Sequence, residues 1–554
     1  MTWMSGISAP SEWQQRAEYA EIGAMLGDGA PLGVWRDALR RWEIARRGWR
    51  DWANLTRLRF SQDTRRDDYR TAQTELDRRS PTTTSLDASL KRRFLASPVR
   101  AQIEAHLGRQ AFALWEADVS AFSEAIAGDL VRESELVREY TELVASVRVT
   151  FAGQERTLAS LGPFLTDASR ETRHAAECAR WGAFDACRER LDSLFDELVR
   201  LRDGMARALG YRSFVELGYR RMRRIGYGPN EVGRYRDAVH EVVVPLAHEL
   251  VRRYGAGLNV ERVFFWDEAG LGVGTDATPR SDVASIARKA GDALGALDPS
   301  LDEFVRVVLE LDLLDVEARP GKALGAYCTN FPTRGLPFVF ANFSGTRFDV
   351  KTLMHELGHA FQSWRSRDKA FDYLVPTLET AEIHSMSLEY LAWPEMERFF
   401  GNGADAYRRE HLIDAILFLP YGVAIDHFQH LVYANSGASP LERHAMWQEV
   451  ERRYLPWRDY GDLAHPAAGG LWQEKRHVYV QPFYYIDYTL ALCCALQFWN
   501  RARSDRTQAM ADYVALCGRG GQASFGELVR SANLRSPFEP GTLQAAVAAA
   551  HAVL

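Results

Sequence analysis

Residues 349–364 read DVKTLMHELGHAFQSW, and the spacing of their apolar side chains decides the local structure. Asp349 stands where a carboxylate can cap the first turn of a helix. The apolar residues recur at three- and four-residue steps, which is the period of one helix face: Val350, Leu353, Met354, Leu357, Phe361 and Trp364. The stretch therefore predicts an amphipathic α-helix that buries this face.

The polar side of the predicted helix carries His355, Glu356 and His359. Side chains four residues apart project in parallel, so the two imidazoles can bind one ion through zinc–nitrogen bonds of about 2.0–2.1 Å. Glu356 lies between them and is predicted to take a proton from the attacking water rather than to bind metal. This HExxH pattern is typical of zinc hydrolases, although it also arises by chance on surface helices.

A catalytic zinc site needs a third protein ligand and one open position. Residues 379–393, ETAEIHSMSLEYLAW, predict a second helix with Glu382 and Glu389 on one face. We predict that Glu382 is the third ligand, with Glu379, one turn earlier, as the alternative. Glu389 is expected to orient a ligand imidazole by accepting a hydrogen bond from its second nitrogen. His384 faces the opposite side and is predicted to be packed or solvent-facing.

Helical periodicity dominates most of the remaining chain, for example over residues 184–209. Pro245 is expected to kink the helix predicted over residues 231–254. The SPTTTS stretch at residues 80–85 predicts a break. Residues 325–350 are rich in aromatic and β-branched side chains and predict a β-hairpin or small sheet just before the HExxH helix.

The length of 554 residues exceeds what one hydrophobic core usually serves, so more than one domain is expected. We predict an N-terminal helical segment over residues 1–95, an N-terminal helical lobe over 96–190 and a catalytic domain over 191–554.

Composition limits the partners and the compartment. The formal net charge is −6, from 68 basic and 74 acidic residues, which argues against a nucleic-acid or anionic-membrane partner. The first residues lack a signal-peptide pattern, and we find no run of about 18 apolar residues. The cysteines form no CxxC pair and favour a reducing cytoplasm: Cys178, Cys187, Cys328, Cys493, Cys494 and Cys517. The sequence predicts no particular oligomeric state.

Several further motifs accompany HELGH, and together they are far more specific than HExxH alone. The chain resembles the thimet-type (M3) oligopeptidase family, and specifically its oligoendopeptidase F and Pz-peptidase branch, over roughly residues 180–545. The motifs that carry this resemblance are HELGH, EIHSMSLEY, GAYCTNFP, PFVFANFSGT and HVYVQPFYYIDYTLA.

The resemblance implies a predominantly α-helical, two-lobed shell around a deep channel, with a small β-sheet beside the HExxH zinc helix. It implies one Zn²⁺ per chain and short peptides as substrates. It also implies that His477, Tyr485 and Tyr488 contact substrate or stabilise the transition state. The interval after His477 is about one residue shorter than in the thimet-type branch, which leaves Tyr484 as the alternative to Tyr485.

In the same family, the strand matching residues 336–346 lies beside the substrate. An exposed strand edge there would bind an extended peptide through its main chain, whereas a strand paired on both edges would not. We therefore predict a zinc metalloendopeptidase that hydrolyses internal bonds of short oligopeptides. The alternatives are a dipeptidyl carboxypeptidase-like zinc exopeptidase and a peptide-binding protein without catalysis.

Overall fold

The structure is a computed structural model that describes residues 2–27, 29–258, 260–271, 283–343 and 345–554. Helices dominate these ranges, as predicted. The α-helices are α1 (Glu12–Met25), α2 (Leu32–Gln62), α3 (Asp67–Leu95), α4 (Arg100–Leu107), α5 (Arg109–Ser120), α6 (Ala127–Ser146), α7 (Gly162–Leu165), α8 (Arg170–Ala208), α9 (Phe214–Arg221), α10 (Pro229–Ala238), α11 (Val244–Gly257), α12 (Val283–Gly295), α13 (Pro299–Glu310), α14 (Arg347–Arg365), α15 (Leu378–Leu391), α16 (Glu397–Phe400), α17 (Ala404–Ala434), α18 (Pro440–Tyr454), α19 (Ala464–Ala467), α20 (Arg476–Val480), α21 (Tyr485–Ser504), α22 (Arg506–Arg519), α23 (Phe525–Ser531) and α24 (Thr542–His551).

Two small sheets accompany the helices. The first is an antiparallel hairpin, and the second has the strand order β3-β5-β4. The strands are β1 (Arg148–Phe151), β2 (Gln154–Thr157), β3 (Leu314–Glu317), β4 (Tyr327–Phe331) and β5 (Leu336–Phe343). Strands β4 and β5 form the hairpin predicted over residues 325–350, and helix α14 begins shortly after it. The prediction of a small sheet leading into the HExxH helix is confirmed.

Strand β5 occupies the middle of the second sheet. It pairs in parallel with β3, with Leu314 opposite Val339, and antiparallel with β4, with Tyr327 opposite Phe340. Of the two alternatives left open for residues 336–346, the structure shows the strand paired on both edges, so the peptide alignment along its edge is excluded. Ser344 of that stretch lies outside the described residues. The physical reason is that side chains on both faces of β5 are buried, so the backbone N–H and C=O groups on both of its edges are shielded from water and pair with neighbouring strands.

Helix α14 begins at Arg347, slightly before the predicted start. Thr346 occupies the N-cap position, and the Asp349 carboxylate accepts hydrogen bonds from the backbone N–H groups of Gly345 and Thr346, at 2.6 and 3.0 Å. Asp349 thus caps the helix from inside its first turn. The predicted apolar face is buried, including Leu353 and Phe361.

Gly358, inside the HELGH motif, sets the distance between α14 and α15. A Cβ atom at this position would lie 2.6 Å from Ser385 Cα and 2.7 Å from the His384 carbonyl oxygen, both backbone atoms of α15. Only glycine allows so close a contact without moving a helix. The close approach places Glu382 opposite the two histidines of α14.

Two local predictions have different outcomes. Helix α3 runs unbroken through residues 80–85 with Pro81 inside it, so the predicted break is wrong. The stretch stays helical because α3 packs against its neighbouring helices, where Gln15 of α1 donates a hydrogen bond to Thr83 Oγ1 at 3.1 Å. This packing offsets the unfavourable helix propensity of Pro81. A π-helical turn, Val239–Val243, precedes Pro245 and separates α10 from α11, while the kink expected at Pro245 itself stays a prediction.

One segment is more apolar than the sequence prediction allowed. Among the described residues, Glu397–Ala434 alone is long and apolar enough to cross a membrane by length and composition. However, 72% of its most apolar window is buried inside the protein, as in the core helix of a folded domain.

Candidate metal centre

The structure brings His355, His359 and Glu382 together. One ligand atom from each lies within 4.8 Å of the others. Glu382 Oε2 lies 3.2 Å from His355 Nε2 and 3.5 Å from His359 Nε2. The His355 and His359 side chains keep 22% and 20% of their surface exposed, whereas Glu382 is buried. The group is therefore closed on the protein side and open on the other, as a catalytic metal site requires.

A chain of hydrogen bonds behind His355 fixes its tautomer. Trp393 Nε1, which can only donate, donates to His411 Nδ1 at 3.2 Å. The Nε2–H of His411 then donates to Glu389 Oε2 at 2.9 Å, and the Nδ1–H of His355 donates to Glu389 Oε1 at 2.7 Å. When His355 carries a single proton, that proton lies on Nδ1, and Nε2, the atom that faces Glu382, offers its lone pair. This is the arrangement that supports a metal-binding histidine.

The charge of the group favours a bound cation. Burial alone would lower the pKa of His355, but hydrogen bonds to Glu382 and Glu389 raise it well above its ordinary value. Burial alone would raise the pKa of Glu382, but the His359 and His355 imidazoles hold it well below its usual range. Buried anions of this kind are stabilised by positive charge, which a divalent ion supplies. The donor set of two imidazoles and one carboxylate fits Zn²⁺.

Glu356 lies beside this group and is nearly fully buried. Its Oε2 atom has no hydrogen-bond partner among the described residues. Burial raises the pKa of Glu356, and the neighbouring His355 and His359 oppose that rise only in part. A carboxylate with one unsatisfied oxygen and a raised pKa is suited to accept and release a proton.

The aromatic residues of α20 and α21 form a cluster around Glu382. Tyr484 donates a hydrogen bond to Glu382 Oε1 at 2.5 Å. The Tyr488 ring lies 4.9 Å from the Tyr484 ring, and the His477 ring lies 5.8 Å from the Tyr488 ring. Tyr485 is buried, with its ring 5.8 Å from that of Phe418. The structure thus brings Tyr484 into contact with the metal-ligand group, whereas Tyr485 is buried with its ring 5.2 Å from that of His477 and 5.6 Å from that of Tyr488.

His477 is neutral near pH 7. Burial, followed by the nearby Lys475 and Arg476 charges, lowers the pKa of His477 to about 4. Its Nδ1 atom has no partner among the described residues. A neutral imidazole in this position can donate or accept a hydrogen bond but carries no charge.

Two residues considered as alternatives lie elsewhere. Glu379, the alternative metal ligand, accepts a hydrogen bond from Thr377 Oγ1 at 2.9 Å, and its second oxygen lacks a partner among the described residues. Glu379 does not join the group formed by the two histidines and Glu382 in the part of the chain that the structure describes. His384 is fully buried against α22, where Tyr513 donates to its backbone carbonyl at 3.0 Å.

Sequence reasoning missed three contributors to this site. His411 and Trp393 extend the hydrogen-bond chain behind Glu389, but neither falls in a motif of ligand spacing, and His411 is far along the chain on α17. Gly358 carried a usable signal, because a glycine inside a predicted buried helix indicates a close backbone contact.

Comparison with known proteins identifies the family. The Peptidase family M3 model matches residues 301–547, and the Peptidase M3 N-terminal domain model matches residues 10–122. An oligoendopeptidase F homolog of Mycoplasma genitalium is 33% identical over 112 residues, which are 19% of this chain and 18% of the relative. The matched segment therefore spans less than a fifth of that relative's length.

Solved structures match over almost the whole chain. A putative oligoendopeptidase F is 43% identical, with a TM-score of 0.94, covering 98% of this chain and 97% of its own. Pz peptidase A, solved with an inhibitor, is 40% identical, with a TM-score of 0.95, covering 99% of this chain and 98% of its own. The family recognised from the motifs is confirmed. The chain belongs to peptidase family M3, in its oligoendopeptidase F branch.

Proposed function

We propose that this protein is a zinc-dependent metalloendopeptidase that cleaves internal bonds of short oligopeptides. One observation carries the proposal: His355, His359 and Glu382 converge on one point, and the adjacent Glu356, whose charge interacts with both histidines, is buried with one carboxylate oxygen unpartnered among the described residues. The three converging residues would hold the ion. Membership of a peptidase family supports the same reaction.

Zinc held there would supply Lewis-acid chemistry, lowering the pKa of a water molecule and polarising the scissile carbonyl. Glu356 takes the proton of the attacking water, since its free oxygen and raised pKa suit a general base. The same carboxyl group then delivers the proton to the leaving amine. No covalent enzyme intermediate is needed.

Tyr488 and His477 are proposed as hydrogen-bond donors to the oxyanion that develops on the scissile carbonyl. Burial first, and then the Glu382 charge, raise the pKa of Tyr488, so its phenol keeps its proton and remains a donor. The low pKa of His477 keeps that ring neutral. Tyr484 donates to Glu382 and is proposed to hold this ligand in place.

Strand β4 is the better candidate for binding extended peptides. It pairs with β5 along one edge, and no other strand of the described ranges pairs with it, although Asn54 of α2 donates a hydrogen bond to the Asn330 backbone carbonyl near the end of β4, at 2.8 Å. Cys328, in the middle of β4, lies near Glu356, whose charge contributes after burial to the raised pKa of the thiol. A peptide that added to the free edge of β4 would run past the candidate metal centre, with affinity from its main chain.

A mixed pool of peptides analysed by mass spectrometry, with and without a chelator, tests the proposal. We expect cleavage at interior bonds of unstructured peptides, loss of activity with the chelator, and recovery with zinc. Casein and a folded domain should remain uncut if a helical shell limits access. Sequential removal of dipeptides from the carboxyl end would support the exopeptidase alternative. Binding of peptides without cleavage would support the non-catalytic alternative.

Glu382→Ala gives a second test, at the level of the metal. This variant should contain less zinc than the wild type, because it loses one of three ligands. The variant Glu379→Ala is the matched control and should keep its zinc, since Glu379 bonds to Thr377 instead. Full zinc content in Glu382→Ala would contradict the proposed ligand set.

A further inference from the structure

A second group of potential metal ligands lies outside the HExxH helix. His174 and Cys178 stand one turn apart on α8, and Asp462 lies in the segment between α18 and α19. One ligand atom from each residue lies within 4.8 Å of the others. His174 Nε2 lies 2.8 Å from Asp462 Oδ1 and 3.4 Å from Cys178 Sγ.

A shared ion would contact all three ligand atoms around His174 Nε2 at once, which hydrogen bonds within the group do not. If this nitrogen carries a proton, it donates to the Asp462 carboxylate and has none for the Cys178 sulfur. If the nitrogen lacks the proton, the Cys178 thiol can donate a hydrogen bond to it. In that case the lone pair of the nitrogen faces a lone pair of the Asp462 carboxylate, which is repulsive. Hydrogen bonding thus leaves one member of the group poorly satisfied, whereas one cation contacts all three atoms favourably.

The separations are close to those of a metal site. Zinc bonds of about 2.0–2.3 Å in tetrahedral geometry place neighbouring nitrogen, oxygen and sulfur ligands about 3.3–3.6 Å apart. The thiol already lies at that distance from the imidazole. The Asp462 side chain is 65% exposed. Its carboxylate can therefore move outward by roughly half an ångström, which would bring it to the separation from His174 expected between two zinc ligands. The fourth position would face solvent.

An aromatic platform positions two of the three ligands. The Trp266 ring lies 4.2 Å from the His174 ring and beneath the backbone next to Asp462. Gly461 has φ +53°, and a Cβ atom there would lie 2.8 Å from Trp266, so glycine is required. Trp266 itself is buried and stacks on Phe264, with ring centres 4.7 Å apart. The imidazole and the aspartate backbone are therefore held before any ion binds.

The nearby arginines pair with an acidic residue other than Asp462. Arg170 and Arg173 lie on the same helix as His174, but both form ion pairs with Asp267, at 2.8 and 3.2 Å. They leave the carboxylate of Asp462 and the thiol of Cys178 available to balance a divalent ion.

We propose that His174, Cys178 and Asp462 form a second binding site for Zn²⁺, separate from the HExxH centre. Nitrogen, sulfur and oxygen donors together suit a borderline-soft ion such as zinc and do not suit magnesium or calcium. The bound ion would tie α8 to the segment between α18 and α19.

Cobalt substitution of the full-length protein distinguishes the two sites. The HExxH centre contains no thiolate, so a thiolate-to-cobalt charge-transfer band reports the second site alone. We expect the metal-free protein to bind two equivalents of Co²⁺ and to show this band. Cys178→Ser should lose the band and one equivalent, while its peptide hydrolysis stays unchanged.

Cys187→Ser is the matched control. Cys187 lies on the same helix and is also partly exposed, but Ala183 stands where a histidine would be needed. This variant should keep both equivalents and the band. Absence of the band in the wild type, or its persistence in Cys178→Ser, would overturn the proposal. Competition with zinc should remove the band, and failure to do so would also count against a zinc site.

Discussion

The two ligand groups of this protein share one design and differ in their surroundings. In each, a helix supplies two side chains one turn apart and another segment supplies a carboxylate. The group of His355, His359 and Glu382 is backed by buried hydrogen bonds and lies beside the buried Glu356. The second group, on α8, lies at the surface. We propose that ligand spacing provides for metal binding in both groups and that the buried surroundings of the HExxH group provide for catalysis.

The largest expected effect concerns the base beside each group. Glu356→Gln should lower the catalytic rate by about 10²- to 10⁴-fold and leave zinc content unchanged, because the residue moves a proton and does not bind metal. The matched control is Glu177→Gln, which changes a buried glutamate next to Cys178 and should leave the rate as it is. Steady-state kinetics with zinc analysis checks both. A Glu356→Gln enzyme that keeps a tenth of the wild-type rate would contradict the assignment.

The tyrosines near Glu382 differ from the aromatic neighbours described at the surface group, Trp266 and Phe264, which carry no hydroxyl group. Tyr488→Phe should reduce kcat by about 10²- to 10³-fold with little change in KM, as expected for a donor used in the transition state. Tyr485→Phe should have a smaller effect, because Tyr485 is buried and its ring packs between Phe418 and the His477 and Tyr488 rings. A loss confined to KM in Tyr488→Phe would mean that this tyrosine only binds substrate.

The hydrogen-bond chain behind His355 also distinguishes the two groups. In Glu389→Gln, the amide must turn its NH₂ group towards either His355 or His411, and that imidazole N–H loses its acceptor. Zinc affinity or activity should fall by about 10- to 100-fold. Competition with a chelator measures the affinity. Wild-type affinity together with wild-type activity would show that Glu389 does not support the site.

The smallest expected effect concerns the glycines of the two helices. Gly358→Ala should lower the free energy of unfolding by about 1–3 kcal/mol, because a Cβ atom there meets the α15 backbone. Gly182→Ala in α8 meets nothing within 4 Å and should raise it by about 0.4–1 kcal/mol. Denaturant titration measures both. Equal effects of the two changes would remove the structural reason for glycine at position 358.

The sequence predicted the features that depend on local periodicity. Helix α14, the second helix α15 and the hairpin before α14 all follow from side-chain spacing. It did not predict that β5 lies between two strands, because β3 is a four-residue strand that joins it in parallel from an earlier part of the chain. Parallel pairing of this kind leaves little trace in local sequence.

Residues that act through tertiary contacts were also beyond the sequence. His411 reaches Glu389 only because α17 packs beside α15, and no spacing rule connects the two. Tyr484 and Tyr485 were equivalent in the sequence and separate only when α21 begins at Tyr485 and Tyr484 reaches Glu382. The same limit applies to α3, where tertiary contacts such as the hydrogen bond between Gln15 and Thr83 keep residues 80–85 helical although the local sequence predicts a break.

A zinc titration of the metal-free protein tests whether zinc at the HExxH group is required for peptide hydrolysis. Hydrolysis and bound zinc are measured in the same samples. The Cys178→Ser variant should be used, so that the second group does not add to the count. We expect no hydrolysis without zinc, and a hydrolysis rate that rises linearly with bound zinc and stops rising at one zinc per chain. Hydrolysis by the metal-free protein, or a maximum that does not coincide with one bound zinc, would contradict this expectation.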